Sequence, residues 1–295
     1  MTGRIVAGAL APHPPHLVYA ENPPQNEPRA ECGWEMLRWG YERLRKDLSK
    51  LEYDAIVVLS PHWQTYIGWH FLGVPEFKSL SVDPIFPNLF RYHYDMKVDV
   101  ALAEALEAEA SRAGLVTQMM RNPDFRVDYG TIVSSHLVNP AWDKPIVAIS
   151  SNRSAAWYNV EVMQEQAIAL GKATRAAIEA SGKRVVLLGS CSLSHRHFTT
   201  EGDLPEDMSR EHITNHNQHL WDMRFVDHFR NGRSRSVIAE MPEFTEQATS
   251  ETDSGALTWL LSALDFPSYN AELYAYGTVI GTGNAIVGWF PEQAA

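Results

Sequence analysis

The sequence predicts an α/β fold: one domain, residues 1–295, with a central mixed sheet flanked by helices and a metal site at the C-terminal ends of its strands. Three observations carry that expectation. Short apolar runs of strand length alternate with longer stretches of helical periodicity, the pattern of a sheet covered on both faces. No linker, tandem repeat or low-complexity segment divides the 295 residues, and 45% hydrophobic content is enough for a large core. Two of the apolar runs close on nearly the same words, Ala9-Leu10-Ala11-Pro12-His13 and Val58-Leu59-Ser60-Pro61-His62. Proline donates no ladder hydrogen bond and tends to end a strand. Each Pro-His step therefore places an imidazole just past a strand's C-terminal end, the edge where open α/β sheets form ligand sites.

The elements follow in order. Residues 4–11 read as a buried first strand. Residues 14–30, with five prolines among polar side chains, read as a long loop of the kind that often carries function. Residues 31–51 place Met36, Leu37, Tyr41, Leu44 and Leu48 on one helical face. Residues 54–60 predict a second buried strand, 63–71 a third, and the proline-rich stretch 73–89 irregular structure. Residues 99–113 predict a helix stopped by Gly114. Residues 145–150 predict a strand, 159–181 the longest helix with Gly182 as its stop, and 184–189 another strand. Helices are expected over 208–230 and 254–264, and a return to the sheet over 273–288.

Composition narrows the chemistry. Asp and Glu outnumber Lys and Arg by 36 to 25, a net charge of −11, which argues against nucleic acid or an anionic membrane as partner. The two cysteines, Cys32 and Cys191, form no Cys-x-x-Cys pair. They read as reduced thiols of a cytoplasmic protein rather than a disulfide framework or zinc ribbon. The apolar run at the start of the chain is too short for a membrane helix and has no signal-peptide cleavage pattern.

Two imidazoles at matching strand ends suit a zinc, copper, nickel or iron site. Two histidines plus one carboxylate, with coordination positions left open, is the facial arrangement of non-haem Fe(II) oxygenases. Glu240, Glu243, Glu246, Glu251 and Asp253 compete for the third place. Glu251 sits in Ser250-Glu251-Thr252-Asp253 ahead of a helical run, where it would also complement a helix dipole, and the Ser250–Asp253 spacing resembles a capping box. A third apolar run, Val185 to Ser190, leads through Cys191 to Leu193-Ser194-His195-Arg196-His197. A histidine there can shuttle protons near neutral pH, and His197 matches His195 on composition. His212, His216 and His219 share a helical face and form a rival metal site, without the His-Glu-x-x-His signature and among polar neighbours. There is no Walker-type loop, no Gly-x-Ser-x-Gly elbow and no full dinucleotide fingerprint.

Taken together, the strand ending at His13, the segment Asp54-Ala-Ile-Val-Val-Leu-Ser-Pro-His62-Trp63, and the block Gly189-Ser190-Cys191-Ser192-Leu193-Ser194-His195 resemble the class III extradiol ring-cleaving dioxygenases. The likeness is to the catalytic subunits related to protocatechuate 4,5-dioxygenase. It extends to the helix Trp221-Asp222-Met223-Arg224-Phe225 and to Glu251 followed by Trp259, nearly end to end. The resemblance implies Fe(II) bound by His13, His62 and Glu251, with His195 as the acid–base catalyst and a small aromatic substrate and O2 as reactants. Many relatives carry Asp-His-Gly where this chain has Asp128-Tyr129-Gly130, so Tyr129 stands beside the substrate in place of an imidazole. That departure is most similar to the 2-aminophenol branch, which implies an α2β2 assembly with a related α subunit that lacks iron ligands. Ring cleavage of a catechol, a zinc hydrolase on the same ligands and a non-enzymatic scaffold subunit are the alternatives.

Overall fold

The computed structural model describes residues 2–15, 17–18, 33–82, 91–196, 213 and 215–291. In chain order its strands are β1 (Arg4–Leu10), β2 (Ala55–Thr65), β3 (Trp69–Leu72), β4 (Glu76–Val82), β5 (Arg91–Lys97), β6 (Thr117–Met120), β7 (Ile146–Asn152), β8 (Arg184–Gly189), β9 (Glu272–Val279) and β10 (Thr282–Trp289). Its helices are α1 (Gly33–Leu48), α2 (Val100–Arg112), α3 (Tyr129–Val138), α4 (Arg153–Tyr158), α5 (Val160–Ser181), α6 (His216–Arg230), α7 (Ser234–Ala248) and α8 (Gly255–Ala263), the last preceded by a 3₁₀ turn, Glu251–Ser254.

The main sheet has eight strands in the order β6-β3-β7-β2-β8-β1-β10-β9. Its centre is parallel: β1 pairs with β8, β8 with β2, and β2 with β7. The β9–β10 hairpin closes one side antiparallel, and β3 joins β7 antiparallel on the other. The central strands are apolar on both faces because both faces are covered. Along β2, Ile56 and Val58 point into a layer built from α1, α3 and the separate β4–β5 ribbon, through Leu37, Tyr41, Ile132, Leu137, Phe77 and Tyr94. Val57 and Leu59 point the opposite way, against α2, α5, α6, α7 and α8. This period-two split makes the fold three-layered, and it brings the C-terminal ends of β1, β8 and β2 side by side.

Several expectations change. His62 is not beyond its strand. β2 runs on to Thr65, but its pairing with β8 ends at Leu59 and its register against β7 breaks between Leu59 and Gln64. Pro61, with no N–H, lies inside that break and re-aims the strand rather than ending it. Residues 63–71 are not one strand, because the chain turns at Gly68 (φ +72°) before β3. Residues 76–82, expected to be irregular, pair with β5 from Glu76↔Lys97 to Val82↔Arg91. β5, β6, α3, α4 and α7 have no counterpart among the sequence-based expectations. The helix expected from residue 208 begins, within the described residues, at His216, and most of the 14–30 loop lies outside them.

Candidate metal centre at the strand ends

His13 lies three residues past β1 and is 6% exposed. The segment before it is tied down on three sides. The Ala11 N–H donates to the Gly189 carbonyl, the Ala11 carbonyl accepts from Ser134 Oγ, and the Tyr41 hydroxyl donates to the Pro12 carbonyl. His13 Nδ1 lies 2.9 Å from Ser190 Oγ. That hydroxyl also lies 2.9 Å from the Gly130 carbonyl and 2.7 Å from Ser134 Oγ. An Nδ1–H donated from His13 to Ser190 would leave the Nε2 lone pair facing the site, the tautomer that a metal ligand needs.

His62 is placed from the other side. Its N–H donates to Ser60 Oγ at 3.2 Å, and the Ser60 hydroxyl donates to Asp128. Asp128 caps α3, accepting from Thr131 N at 2.9 Å and Thr131 Oγ1 at 2.7 Å. Tyr129 is then the first helical residue, and its hydroxyl lies 2.8 Å from His62 Nε2. A Cβ on Gly130 would stand 2.6 Å from Ser60 Oγ and 3.2 Å from the His62 ring. Only glycine fits beneath that imidazole. The Asp-x-Gly motif thus acts as a cap, a side chain aimed into the site, and a gap for the histidine.

Glu251 and His195 hang on one strap. After β8 the chain runs through residues 190–195 between the start of β10 and the end of α7. Leu193 N donates to the Gly283 carbonyl, Gly283 N to the Ser194 carbonyl, and His195 N to the Thr249 carbonyl at 2.7 Å. Ser194 and Ser250 form an isolated antiparallel bridge. The Ser192 N–H and hydroxyl both donate to Glu251 Oε2, at 2.8 and 3.2 Å. The turn that presents Glu251 uses left-handed backbone at Thr249, Thr252, Asp253 and Ser254 (φ 45–55°). For non-glycine residues this costs of order 1–3 kcal/mol each and persists where surrounding contacts over-determine it. Ser250 makes no capping bond, its hydroxyl instead meeting Thr245 Oγ1, so the expected capping box does not form.

Glu251 Oε1, the other oxygen, is buried and makes no well-formed hydrogen bond. It faces His62 Nε2 at 3.1 Å, His195 Nε2 at 3.4 Å and His13 Nε2 at 3.5 Å. Burial alone would raise the Glu251 carboxyl, but the imidazoles of His195, His13 and His62 outweigh it and hold the group well below the usual carboxylate range. At His13 burial wins over Glu251, and the imidazole is shifted toward the neutral form. An ionised carboxylate beside a neutral imidazole is the protonation state of metal ligands. Among the described residues, His13, His62 and Glu251 are the one group of three such side chains whose ligand atoms converge, all within 4.8 Å. A bare, buried carboxylate oxygen opposite imidazole nitrogens fits a divalent cation, and the two-His, one-carboxylate set fits non-haem iron.

The rivals are otherwise engaged. Glu240 accepts from Arg224 and His228; Glu243 and Glu246 are exposed; Asp253 is only half-buried. His219 Nδ1 lies 3.4 Å from the Tyr276 hydroxyl, His216 is exposed, and His16, His197 and His212 lie outside the described residues. Sequence reasoning missed the supporting serines, Ser60, Ser190, Ser192 and Ser194, and the buried Asp222. The density of small hydroxyl residues in the Gly189–His195 block was the available signal.

The model of the LigB family, described as the catalytic LigB subunit of aromatic ring-opening dioxygenase, matches residues 7–287. The chain is 53% identical over 287 residues to the 2-aminophenol 1,6-dioxygenase beta subunit of a Pseudomonas species, covering 97% of this chain and 94% of that one. It is 25% identical to the alpha subunit of the same named enzyme, over 86% of this chain and 90% of that one. It is 23% identical to 3,4-dihydroxyphenylacetate 2,3-dioxygenase of Escherichia coli, over 92% of this chain and 95% of that one. The crystal structure of an uncharacterized Escherichia coli K12 protein shares the fold, with a TM-score of 0.61 at 18% identity over 96% of this chain and 99% of that one. With its strand-end site and a family match spanning almost its whole length, this chain belongs to the LigB family of aromatic ring-opening dioxygenases.

Proposed function

We propose that residues 1–295 act as one catalytic domain, the Fe(II)-bearing β-type subunit of an extradiol dioxygenase that opens the ring of 2-aminophenol with O2. The product is 2-aminomuconic 6-semialdehyde, which retains both oxygen atoms. The observation that carries this reading is the convergence of His13, His62 and the bare Glu251 Oε1 in a chain so similar to a 2-aminophenol 1,6-dioxygenase beta subunit.

His13 Nε2, His62 Nε2 and Glu251 would hold the metal. Bound there, Fe(II) supplies joint coordination of substrate and O2, electron transfer between them and a lowered pKa for the substrate hydroxyl. His195 Nε2, on the same side of Glu251 as the two ligand imidazoles, takes the substrate hydroxyl proton and returns it later in the turnover. The Tyr129 hydroxyl, beside His62 Nε2, offers a neutral donor or acceptor to the substrate's ortho group. A related α subunit completes an α2β2 assembly, a reading supported by the two relatives named as alpha and beta subunits. The free, buried thiol of Cys191 supports the cytoplasm as the compartment. No described helix is long and apolar enough to cross a membrane.

The test is anaerobic purification with metal analysis, followed by oxygen uptake with 2-aminophenol and a panel of catechols. One iron per chain and preferential uptake with 2-aminophenol are expected. Equal or better turnover of a catechol would move the substrate. Bound zinc with no oxygen uptake would replace the oxygenase by a hydrolase.

A further inference from the structure

We propose that Asp222 is a positioning residue for His195, fixing the catalytic imidazole by gripping Ser194, the residue before it. The proposal rests on the reading of His195 as the acid–base catalyst.

Asp222 lies on α6 and is wholly buried at 0% exposure. Its Oδ1 accepts the Ser194 N–H at 2.9 Å, and its Oδ2 accepts the Ser194 hydroxyl at 2.7 Å and the Tyr276 hydroxyl at 2.8 Å. Among the described residues it has no ion-pair partner, so three neutral donors alone offset the loss of water, an expensive way to bury a carboxylate. Burial pushes its carboxyl up to about 6, against the hydrogen bonds from Ser194 and Tyr276.

The neighbourhood is cut to admit it. A Cβ on Gly283 would fall 1.7 Å from Asp222 Oδ2, so the first turn of β10 has to be side-chain-free at that point. Gly283 N in turn donates to the Ser194 carbonyl at 3.0 Å and lies 3.2 Å from Ser194 Oγ. Ser194 is thus fixed at its N–H, its carbonyl and its hydroxyl, while the next residue's N–H is fixed on Thr249. Packing alone asks for none of this, since a buried Ser–Ser or Ser–amide contact would hold a strap at lower cost. A charged-type acceptor makes the stronger bond, and it is spent on the one residue whose backbone torsions aim His195. The Ser194–Ser250 bridge joins the same strap to the Glu251 segment, but the Glu251 carboxylate has its own donors, the N–H and hydroxyl of Ser192.

That second hold on the carboxylate makes the proposal testable. In the iron-loaded assembly, Asp222→Asn is measured for iron content, KM and kcat, alone and combined with His195→Phe. We expect iron content and KM to stay near wild type and kcat to fall roughly 10–100-fold, the usual cost of a small misplacement. In the His195→Phe background the same change should cost less than about two-fold, because the group it positions is gone. Ser194→Ala, which keeps the N–H bond to Asp222, should show the same kcat-only loss in smaller degree, and it serves as the second variant if Asp222→Asn does not fold. Loss of iron in parallel with kcat, or equal loss in both backgrounds, overturns the proposal in favour of general support of the fold. Near-normal turnover of His195→Phe alone would instead remove the acid–base reading beneath it.

Discussion

A single hydroxyl does much to place the His13 ring. Ser190 Oγ stands between the His13 ring, the Gly130 carbonyl and Ser134. An Nδ1–H donated to it would hold the imidazole in the tautomer that leaves Nε2 open. His13→Ala, His62→Ala and Glu251→Ala should each abolish both bound iron and turnover, checked by metal analysis beside oxygen uptake. Full occupancy in any one of them would remove that residue from the set. Tyr129 should govern substrate choice. A phenol stays neutral below about pH 10, whereas a histidine there is readily protonated. The amino group of 2-aminophenol has to be unprotonated to bind metal, and a neutral neighbour favours that. Wild type should prefer 2-aminophenol over catechol in kcat/KM, and Tyr129→His should narrow or reverse the preference. Unchanged ratios in both Tyr129→His and Tyr129→Phe would leave the tyrosine as a wall of the pocket.

The irregular ends of regular elements carry the site. β2 loses its register around Pro61, α3 starts on a capping aspartate, and α8 is entered through a left-handed turn. Gly130→Ala tests this directly, because its methyl would press on Ser60, Asp128 and the ring of His62 together. An overpacked contact of this kind costs about 1–3 kcal/mol. The variant should melt lower and bind iron more weakly, read by calorimetry and iron titration; unchanged iron affinity would show that His62 can move freely. The same irregularity explains what the sequence disclosed. β1, β8 and the first half of β2 are legible because strands buried on both faces are continuously apolar. The helix 159–181 is legible through its period and through Gly182, which stops α5 at φ +73°. α3 was hidden because Tyr129–Val138 is nearly all buried and rich in β-branched and serine residues, so no amphipathic stripe shows. α7 was hidden by Pro242 in its interior, and β4–β5 by prolines that lie outside its strands. His13 and His62 announced themselves by repeated wording. Glu251 did not stand out from its four competitors, since its selection depends on Ser192 reaching it across the fold.

Across the molecule, charge and topology set the remaining behaviour. Asp222, with a native pKa of about 6, keeps a proton that the unfolded chain releases near the ordinary carboxylate value of about 4. Through that window the folded state binds more protons at Asp222, and the contribution of Asp222 to stability falls as pH rises from about 4 to 6. Of the neighbours facing it, Tyr276 from β9 and, behind it, His219 from α6, the imidazole of His219 is shifted by burial toward its neutral form and works in the opposite sense, but it is common to wild type and variant. The gap in urea-unfolding free energy between wild type and Asp222→Asn should shift by up to about 3 kcal/mol over this range. A gap independent of pH would contradict the burial argument. At the level of assembly, full activity should sediment with a second, related subunit; a fully active lone monomer would refute the α2β2 expectation.

The order β2-β8-β1 has a consequence for how the protein is made. His13 and His62 leave the ribosome early, yet the strand that lies between theirs is β8, which follows His62 by more than a hundred residues. At about 5–20 residues per second, the nascent chain holds both imidazoles for on the order of ten seconds before Ser190 can orient one of them or Ser192 can turn Glu251 toward the other. Until then the two strands have no common neighbour and the three side chains no common point. Convergence of His13, His62 and Glu251 is therefore a late event, complete only when the middle of the sheet has closed.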